Sequence, residues 1–252
     1  MRFLLPLACA SALPFTALGQ EAPRGLWSGE GAFSAGATTG NTETTDIGLS
    51  LDLERTGRVW SLGLEGSSDY GESDGEKNKS RIFLGANLDR QLSDRLFSYG
   101  AVSYEADEFS GFSSRSFVGV GLGYDIFDGE DVKWSVRGGP GWRFDELEAE
   151  TDDSTIPPTL ISDETSEDSF SASGESAWSY QLNPYVGLSN DTTAVYADTS
   201  SQFTNVLALN ARLNGKLSAR MSYEARHNTE PPLGFEKTDT ITRVSLVYAI
   251  GD

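Results

Sequence analysis

The chain contains 252 residues, with 38 Asp and Glu against 19 Lys and Arg and a formal net charge of -19 at pH 7. Such an acidic chain repels phosphate backbones, so nucleic acid is not an expected partner. The single cysteine, Cys9, lies near the start, so the residues after it cannot form a disulfide, a Cys-ligated metal site or a thiol nucleophile.

The N-terminal sequence predicts a secretory signal peptide. It reads MRFLLPLACASALPFTALGQ, in which one Arg precedes an uncharged apolar run and small residues surround a cleavage point near Gly19. We therefore predict a signal peptide over residues 1–19, which is removed, and a single domain over residues 20–252. Cys9 leaves a lipoprotein signal as an alternative. No later stretch approaches the ~20 uninterrupted apolar residues of a membrane-spanning helix.

Alternation of apolar and polar residues with a period of two predicts β-strands along the rest of the chain. The apolar sides comprise, in chain order, Ile47, Leu49, Leu51 and Leu53; Trp60, Leu62 and Leu64; Ile82, Leu84, Ala86 and Leu88; Val118, Val120, Leu122, Tyr124 and Ile126; Val132, Trp134, Val136, Trp142 and Phe144; Phe170, Ala172, Trp178 and Tyr180; Phe203, Leu207, Leu209 and Leu213; Leu217, Ala219, Met221 and Tyr223; and Val244, Leu246, Tyr248 and Ile250. Three further ribbons, near residues 28–38, 95–107 and 185–196, alternate less cleanly. The pattern predicts about twelve strands of roughly 11 to 14 residues, which is longer than the ~5 to 6 residues of most globular strands and long enough to cross a membrane.

The predicted connections alternate in length. Tight turns are expected at residues 55–58, 92–94, 128–131, 182–184 and 214–215, and longer segments at 71–79, 107–114, 145–168, 197–202 and 229–237. Short periplasmic turns and longer outer loops are typical of outer-membrane barrels, in which an even strand number places both termini in the periplasm. The sequence thus predicts an all-β fold: a single closed antiparallel transmembrane β-barrel in the cell outer membrane, with both termini periplasmic.

The aromatic residues of the apolar face support this orientation. Most lie near the short turns, where an interfacial girdle is expected, and Trp142 lies near the opposite rim. The girdle residues are Trp27, Trp60, Trp134, Trp142, Trp178, Tyr180 and Tyr248. The expected partners are outer-membrane lipid, lipopolysaccharide and, during insertion, the barrel assembly machinery; no protein partner is indicated. A secreted, soluble, lipocalin-like barrel is the alternative, and it would require the opposite arrangement, with an apolar interior.

The polar face carries charges of both signs, which a water-containing lumen can hold and a soluble core cannot. Asp46, Asp52, Glu54, Asp69 and Asp89 share this face. The predicted lumen charge network consists of Arg81, Arg137, Arg143, Arg212, Arg220, Arg226, Arg243, Glu65, Glu175 and Glu224. These charges either plug the lumen by pairing or line a narrow aqueous path for small solutes, and their mixed signs favour the plug.

No reaction is indicated by the sequence. A hydrolase triad would depend on His227, the only histidine, and no serine follows it on the same strand. The segment 145–168 is acidic, without Lys or Arg, and is expected to be mobile; it lacks the regular spacing of a calcium loop. The glycines of GVGLGY, residues 119–124, are expected to make room for long side chains that cross the lumen. We predict no catalytic residue, no metal and no cofactor.

Four stretches of the chain resemble a known family. They are GNTETTDIGLSLDLER, YEADEFSGFSSRSFVGVGLGYDIFD, GGPGWRF and ARLNGKLSARMSYEARHNTEPPLGFEKTDTITRVSLVYAI, and they are similar to the YdiY-like family of domains of unknown function, described as salt-induced outer membrane proteins. The resemblance spans roughly residues 30 to 250 and implies an outer-membrane barrel of a Gram-negative bacterium, with no activity. The chain departs from such barrels in ending on Gly251 and Asp252 rather than on an aromatic residue. The expected role is non-enzymatic, in envelope integrity under salt stress with a plugged lumen, or alternatively in passing small solutes.

Overall fold

The computed structural model describes residues 26–39, 44–73, 76–110, 112–147, 150–152, 159–162, 165–198, 200–231 and 235–251. The predicted signal peptide lies outside the described residues. Fourteen strands are present in this part of the chain, and no helix in it is long and apolar enough to cross a membrane. The strands are β1 Trp27–Thr39, β2 Thr44–Thr56, β3 Trp60–Ser73, β4 Glu76–Gln91, β5 Leu96–Asp107, β6 Phe112–Asp128, β7 Val132–Leu147, β8 Glu150–Asp152, β9 Thr159–Ser162, β10 Thr165–Asn183, β11 Val186–Ala197, β12 Gln202–Arg212, β13 Leu217–Asn228 and β14 Thr238–Ile250.

Twelve of these strands form one closed antiparallel barrel, which confirms the predicted fold. Neighbours in sequence are neighbours in the barrel, except that β8 and β9 form a separate two-stranded sheet and β7 pairs directly with β10. The barrel closes where β14 pairs with β1, from Gly29 opposite Ile250 to Thr39 opposite Thr240. Closure leaves none of the twelve barrel strands with an unpaired edge, as a membrane-spanning sheet requires.

Several strands are longer than predicted. β6 has 17 residues and β10 has 19, because pairing continues into segments predicted to be loops. The expectation of a mobile acidic segment at 145–168 is wrong at both of its ends, where residues 145–147 of β7 pair with residues 165–167 of β10. Ladder hydrogen bonds join backbone groups, so a strand can extend beyond its apolar part with polar side chains.

The two faces of the barrel have the opposite character to those of a soluble protein. Leu49 and Val120 are 62% and 59% exposed, whereas Arg143 is 1% exposed. Among the described residues, buried side chains are more often polar or charged than apolar. The apolar face is therefore the outside, and the interior does not match that of a lipocalin-like barrel.

One bulge changes a predicted side-chain direction. The register of β6 against β7 shifts between Asp125 and Phe127, so Phe127 rather than Ile126 takes the outward position at this end. The Phe127 ring stacks on Trp134, with ring centres 6.2 Å apart. A bulge adds one residue and inverts the alternation beyond it, which a strict period of two cannot show.

The glycines of β6 and β7 accommodate inward aromatic rings. A Cβ atom at Gly119 or at Gly141 would lie 2.4 Å from the ring of Phe117, and one at Gly123 would lie 2.1 Å from the ring of Phe97. These glycines do make room for side chains in the lumen. The side chains are aromatic rings that lie against the wall, however, and not the long side chains crossing the lumen that were expected.

Candidate functional site

Six charged side chains, four buried and two half-buried, form a closed ring of ion pairs inside the barrel. Acidic and basic groups alternate around it, three of each. We call this set the salt-bridge ring; its members, in order, are Asp69, Arg81, Glu105, Arg226, Glu224 and Arg243. Their strands are β3, β4, β5, β13, β13 and β14. The net charge of the ring is zero, so each buried ion has a counter-ion on both sides.

The contacts within the salt-bridge ring are close. Arg226 places Nη1 3.4 Å from Oε1 of Glu105 and donates from Nε to Oε1 of Glu224 at 2.6 Å. Arg243 donates from Nη1 to Oε2 of Glu224 at 2.7 Å, and its Nη2 lies 3.2 Å from both carboxylate oxygens of Asp69. Arg81 donates from Nε to Glu105, and its Nη1 lies 3.7 Å from Asp69. Hydrogen bonds between ionised groups are the stronger kind, so the ring fixes the side chains that form it.

The ring crosses the full width of the lumen. In the order of the twelve strands, β5 and β13 are six positions apart in either direction and are therefore opposite each other. The pair Arg226–Glu105 joins these two walls. The ring's members come from β3, β4, β5, β13 and β14, so it extends from one wall of the lumen to the opposite wall.

A second cluster continues from the ring along the wall. Arg115 is the register partner of Glu105 on one side and of Asp145 on the other. Asp145 lies 3.6 Å from Nε of Arg115 and accepts a hydrogen bond of 2.8 Å from Nη2 of Arg143, which also donates to the Ser200 carbonyl at 2.5 Å. The Arg115 guanidinium lies 3.3 Å from the centre of the Phe112 ring. On another part of the wall, Lys79 donates to Asp46 at 2.8 Å.

Two further arginines are paired nearer the end of the barrel with the tight turns, which we call the turn side; the opposite end is the loop side. Arg220 donates to both oxygens of Glu30, at 2.6 and 2.9 Å, and to Oδ1 of Asn210 at 2.5 Å. Arg137 donates to Oε2 of Glu175 at 2.6 Å and lies 5.2 Å from the centre of the Tyr99 ring.

Cavities lie along the lumen within the described part of the barrel, and three of them bear on the ring. A cavity of about 80 Å³ on the loop side is lined by Arg81, Glu105 and Arg226 among others. One of about 140 Å³ is lined by the other ring members, Asp69, Glu224 and Arg243, together with Arg81. One of about 310 Å³ extends toward the turn side and shares Asp52 and Glu65 with the second. The salt-bridge ring thus separates the loop-side cavity from the other two, which we call together the turn-side chamber.

The turn-side chamber is acidic. Its two basic groups outside the ring, Arg137 and Arg220, are already paired with Glu175 and Glu30. Six further carboxylates line its wall: Asp52, Glu54, Glu65, Asp89, Asp125 and Asp191. Asp52 and Asp191 make no hydrogen bond or ion pair with any residue that the structure describes.

The structure places the predicted lumen residues as follows. Arg81, Arg226, Arg243 and Glu224 meet in the salt-bridge ring, and Arg137 meets Glu175. Arg143 and Arg220 pair with carboxylates that the prediction did not include, Asp145 and Glu30. Glu65 lines the turn-side chamber, and the side chain of Arg212 forms no ion pair within the described part of the chain.

Sequence reasoning missed five network members. They are Glu30, Lys79, Glu105, Arg115 and Asp145. Glu30 and Glu105 lie in β1 and β5, where small residues occupy both faces and blur the alternation. Arg115 and Asp145 lie close to or within segments taken as loops. One signal was available. Near the loop side, more arginines than carboxylates were assigned to the inner face, which indicated that further inward carboxylates were missing from the prediction.

The predicted girdle residues lie on the outside of the barrel. Trp27, Trp60, Tyr180 and Tyr248 are exposed near the turn side, and Trp142 is exposed at the opposite end. Trp134 and Trp178 are half-buried, and Trp134 donates from Nε1 to Oγ of Ser176 at 3.0 Å. Trp142 donates from Nε1 to Asp168 at 3.1 Å.

The single histidine lies outside the lumen. His227 is exposed, and its Nδ1 is 2.8 Å from Oγ1 of Thr238 on the adjacent strand. Within the described residues, no group of three or more His, Cys, Asp or Glu side chains converges to hold a metal ion.

Comparison with known proteins places the chain in a family. A family model described as "Protein of unknown function, DUF481" matches residues 31–250. Uncharacterized protein YdiY of Escherichia coli (strain K12) is 25% identical over 224 residues, which is 88% of this chain and 83% of that protein. The resemblance seen in the sequence is confirmed.

Solved structures share the fold at low sequence identity. The NanC porin is 13% identical with a TM-score of 0.55, covering 87% of this chain and 100% of that one. The translocator domain of autotransporter NalP from Neisseria meningitidis is 12% identical with a TM-score of 0.55, covering 90% and 88%. An outer membrane channel from Pseudomonas putida F1 is 12% identical with a TM-score of 0.50, covering 91% and 97%. At these identities the likeness shows the fold alone.

Proposed function

Because the chain belongs to this family of proteins of unknown function, we propose its role from the geometry of the lumen: it is a non-enzymatic outer-membrane channel-type barrel that the salt-bridge ring holds closed. The observation that carries the proposal is the pair Arg226–Glu105, which joins opposite walls within a ring of six alternating charges. Ions or solutes moving along the axis would have to separate these pairs. Separating a buried pair leaves a charge without a counter-ion, which is costly.

The exterior supports a membrane location. Exposed apolar side chains surround the strands, and exposed aromatic residues lie near the turn side. In outer-membrane barrels the short turns are periplasmic, so β1 begins and β14 ends on the periplasmic side. The turn-side chamber then faces the periplasm and the loop-side cavity faces the cell exterior.

A closed barrel fits a role in envelope integrity, as the family resemblance implied for salt stress. A second candidate, a narrow channel for small solutes, is favoured by one observation. The turn-side chamber includes a cavity of about 310 Å³ beyond the ring, so the blocked part of the lumen is short. The two candidates differ in whether the ring opens without mutation.

Planar-bilayer conductance tests the closure. The purified protein should give no discrete current steps, whereas a double variant Glu105→Ala, Arg226→Ala should give them, because it removes the connection across the diameter without changing net charge. The matched control is Lys77→Ala, Glu108→Ala, which removes an exposed ion pair of 2.6 Å and should stay silent. Discrete steps from the unmodified protein would refute the closed state and favour the solute channel.

A further inference from the structure

We propose that the turn-side chamber binds a cation that carries two or more ammonium groups, of the polyamine class. This proposal assigns a ligand to the lumen. It rests on the proposed function in one respect, namely that the salt-bridge ring closes the chamber toward the loop side.

Three carboxylates stand side by side on neighbouring strands. Glu30 of β1 is the register partner of Asp52 of β2, and Asp52 is the register partner of Glu65 of β3. Residues directly opposite in a sheet have Cβ atoms about 4.5 to 5.5 Å apart, and like charges in such positions destabilise the sheet. Arg220 binds Glu30 at one end of this row, and Asp52 in its centre makes no hydrogen bond or ion pair within the described part of the chain. Asp52 is thus the member of the row to which no basic side chain is bonded.

A fourth carboxylate faces this row from the other wall. Asp191 lies on β11, which is six strands from β3 in the barrel order and thus opposite Glu65. It lines the same cavity as Asp52 and Glu65, is only 8% exposed, and makes no hydrogen bond or ion pair within the described part of the chain. A buried carboxylate without a partner is costly, and a cation in the cavity between these walls would supply one.

More carboxylates continue toward the mouth of the chamber. Glu54 follows Asp52 by two residues on β2, which corresponds to about 6.6 to 6.8 Å along the strand. Asp89 and Asp125 line the same cavity, and Oδ1 of Asp89 is buried without a hydrogen-bond donor. The negative groups are thus distributed along the axis rather than collected at one point.

This distribution selects the chemical class of the cation. A metal ion needs several ligands that converge on one point, and no such group occurs among the described residues. An ammonium group only donates hydrogen bonds, so it suits a wall of acceptors, and several such groups on one chain match carboxylates at successive levels. Phe97 and Ala177 on the same wall provide apolar contact for the methylene spacers between them.

The test is isothermal titration calorimetry of spermidine into the full-length protein in detergent micelles. The unmodified protein should bind spermidine saturably. Asp52→Asn combined with Asp191→Asn should weaken binding by at least about tenfold, because it removes two carboxyl groups from the centre of the chamber. Asp94→Asn, an exposed carboxylate in a turn, makes the same chemical change outside the lumen and should leave the affinity unchanged.

Three results would overturn the proposal. They are no saturable binding of spermidine by the unmodified protein, equal affinity in the double variant, or stronger binding of Mg²⁺ than of spermidine at the same carboxylates, which would make the chamber a metal site. Heat-dependent migration in SDS gels shows whether each variant is folded. Binding in micelles does not require conduction, so the two experiments are independent. Failure of the conductance experiment would refute the closed-channel proposal but not spermidine binding. Failure of the calorimetry would refute spermidine binding but not the closed channel.

Discussion

Glu224→Gln is the single substitution that disturbs the salt-bridge ring most directly. Glu224 accepts hydrogen bonds from Nε of Arg226 at 2.6 Å and from Nη1 of Arg243 at 2.7 Å, with its side chain 8% exposed. Glutamine keeps the shape but removes the charge that both guanidinium groups share, and it leaves the ring with a net positive charge. Hydrogen bonds to charged groups contribute about 1.5 to 3 kcal/mol each, and breaking a buried ion pair costs about 3 to 5 kcal/mol. We expect a loss of about 3 to 5 kcal/mol in the free energy of unfolding.

The measurement is equilibrium unfolding in urea of protein refolded into lipid vesicles, followed by tryptophan fluorescence. The matched control is Glu108→Gln, in which the carboxylate also accepts a hydrogen bond of 2.6 Å from a basic side chain, Lys77, but is exposed on the loop side. Solvent screens such a pair, so the control should have the same free energy of unfolding as the unmodified protein.

A loss of stability in Glu224→Gln no larger than that in Glu108→Gln would refute the reasoning, because it would mean that water, rather than arginine, satisfies the carboxylate in the lumen. Restoration of stability by a second change, Arg243→Gln, would show that the cost comes from unbalanced charge. No restoration would locate the cost in the lost hydrogen bonds.

Three further outcomes follow from the structure. Gly119→Ala should lower the free energy of unfolding by about 1 to 3 kcal/mol because the new methyl group meets the Phe117 ring, whereas Gly100→Ala, whose Cβ would meet nothing within 4 Å, should not; urea unfolding compares them. A spin label at Val120→Cys should be accessible to oxygen dissolved in lipid and protected from an aqueous nickel reagent, and the opposite accessibility would contradict the outward assignment. Tryptophan fluorescence should be quenched more by brominated lipids labelled near the headgroup than by lipids labelled at the chain ends, because the exposed tryptophans lie near the rims; stronger quenching from the chain ends would contradict the girdle.

The sequence was sufficient to predict the barrel and most of its faces. Long runs of alternating residues, as from Ile47 to Leu53, show which side chains share a face. The tight turns indicate that consecutive strands are antiparallel neighbours. Arg81, Arg226 and Arg243 were assigned to the interior for this reason. The alternation failed where small residues occupy both faces, as around Glu105, and at the bulge that turns Phe127 outward.

Which interior charges meet could not be predicted. The alternation along a strand shows which side chains point inward. It does not show their position along the barrel axis, because that position depends on the stagger between strands around the closed barrel. Arg226 and Glu105 are 121 residues apart in sequence and on opposite walls. Likewise, the row of Glu30, Asp52 and Glu65 follows from the pairing register of three strands, which is a property of the folded sheet.

The salt-bridge ring also has a consequence for assembly. Asp69 and Glu105 belong to early strands, and of the three arginines in the ring only Arg81 comes from the same part of the chain; the other two arrive with β13 and β14. An incomplete barrel that lacks its last strands would therefore hold uncompensated carboxylates inside. The ring becomes electrically neutral only when β14, which carries Arg243, joins β1. The last step of barrel closure is therefore coupled to the neutralisation of the buried carboxylates.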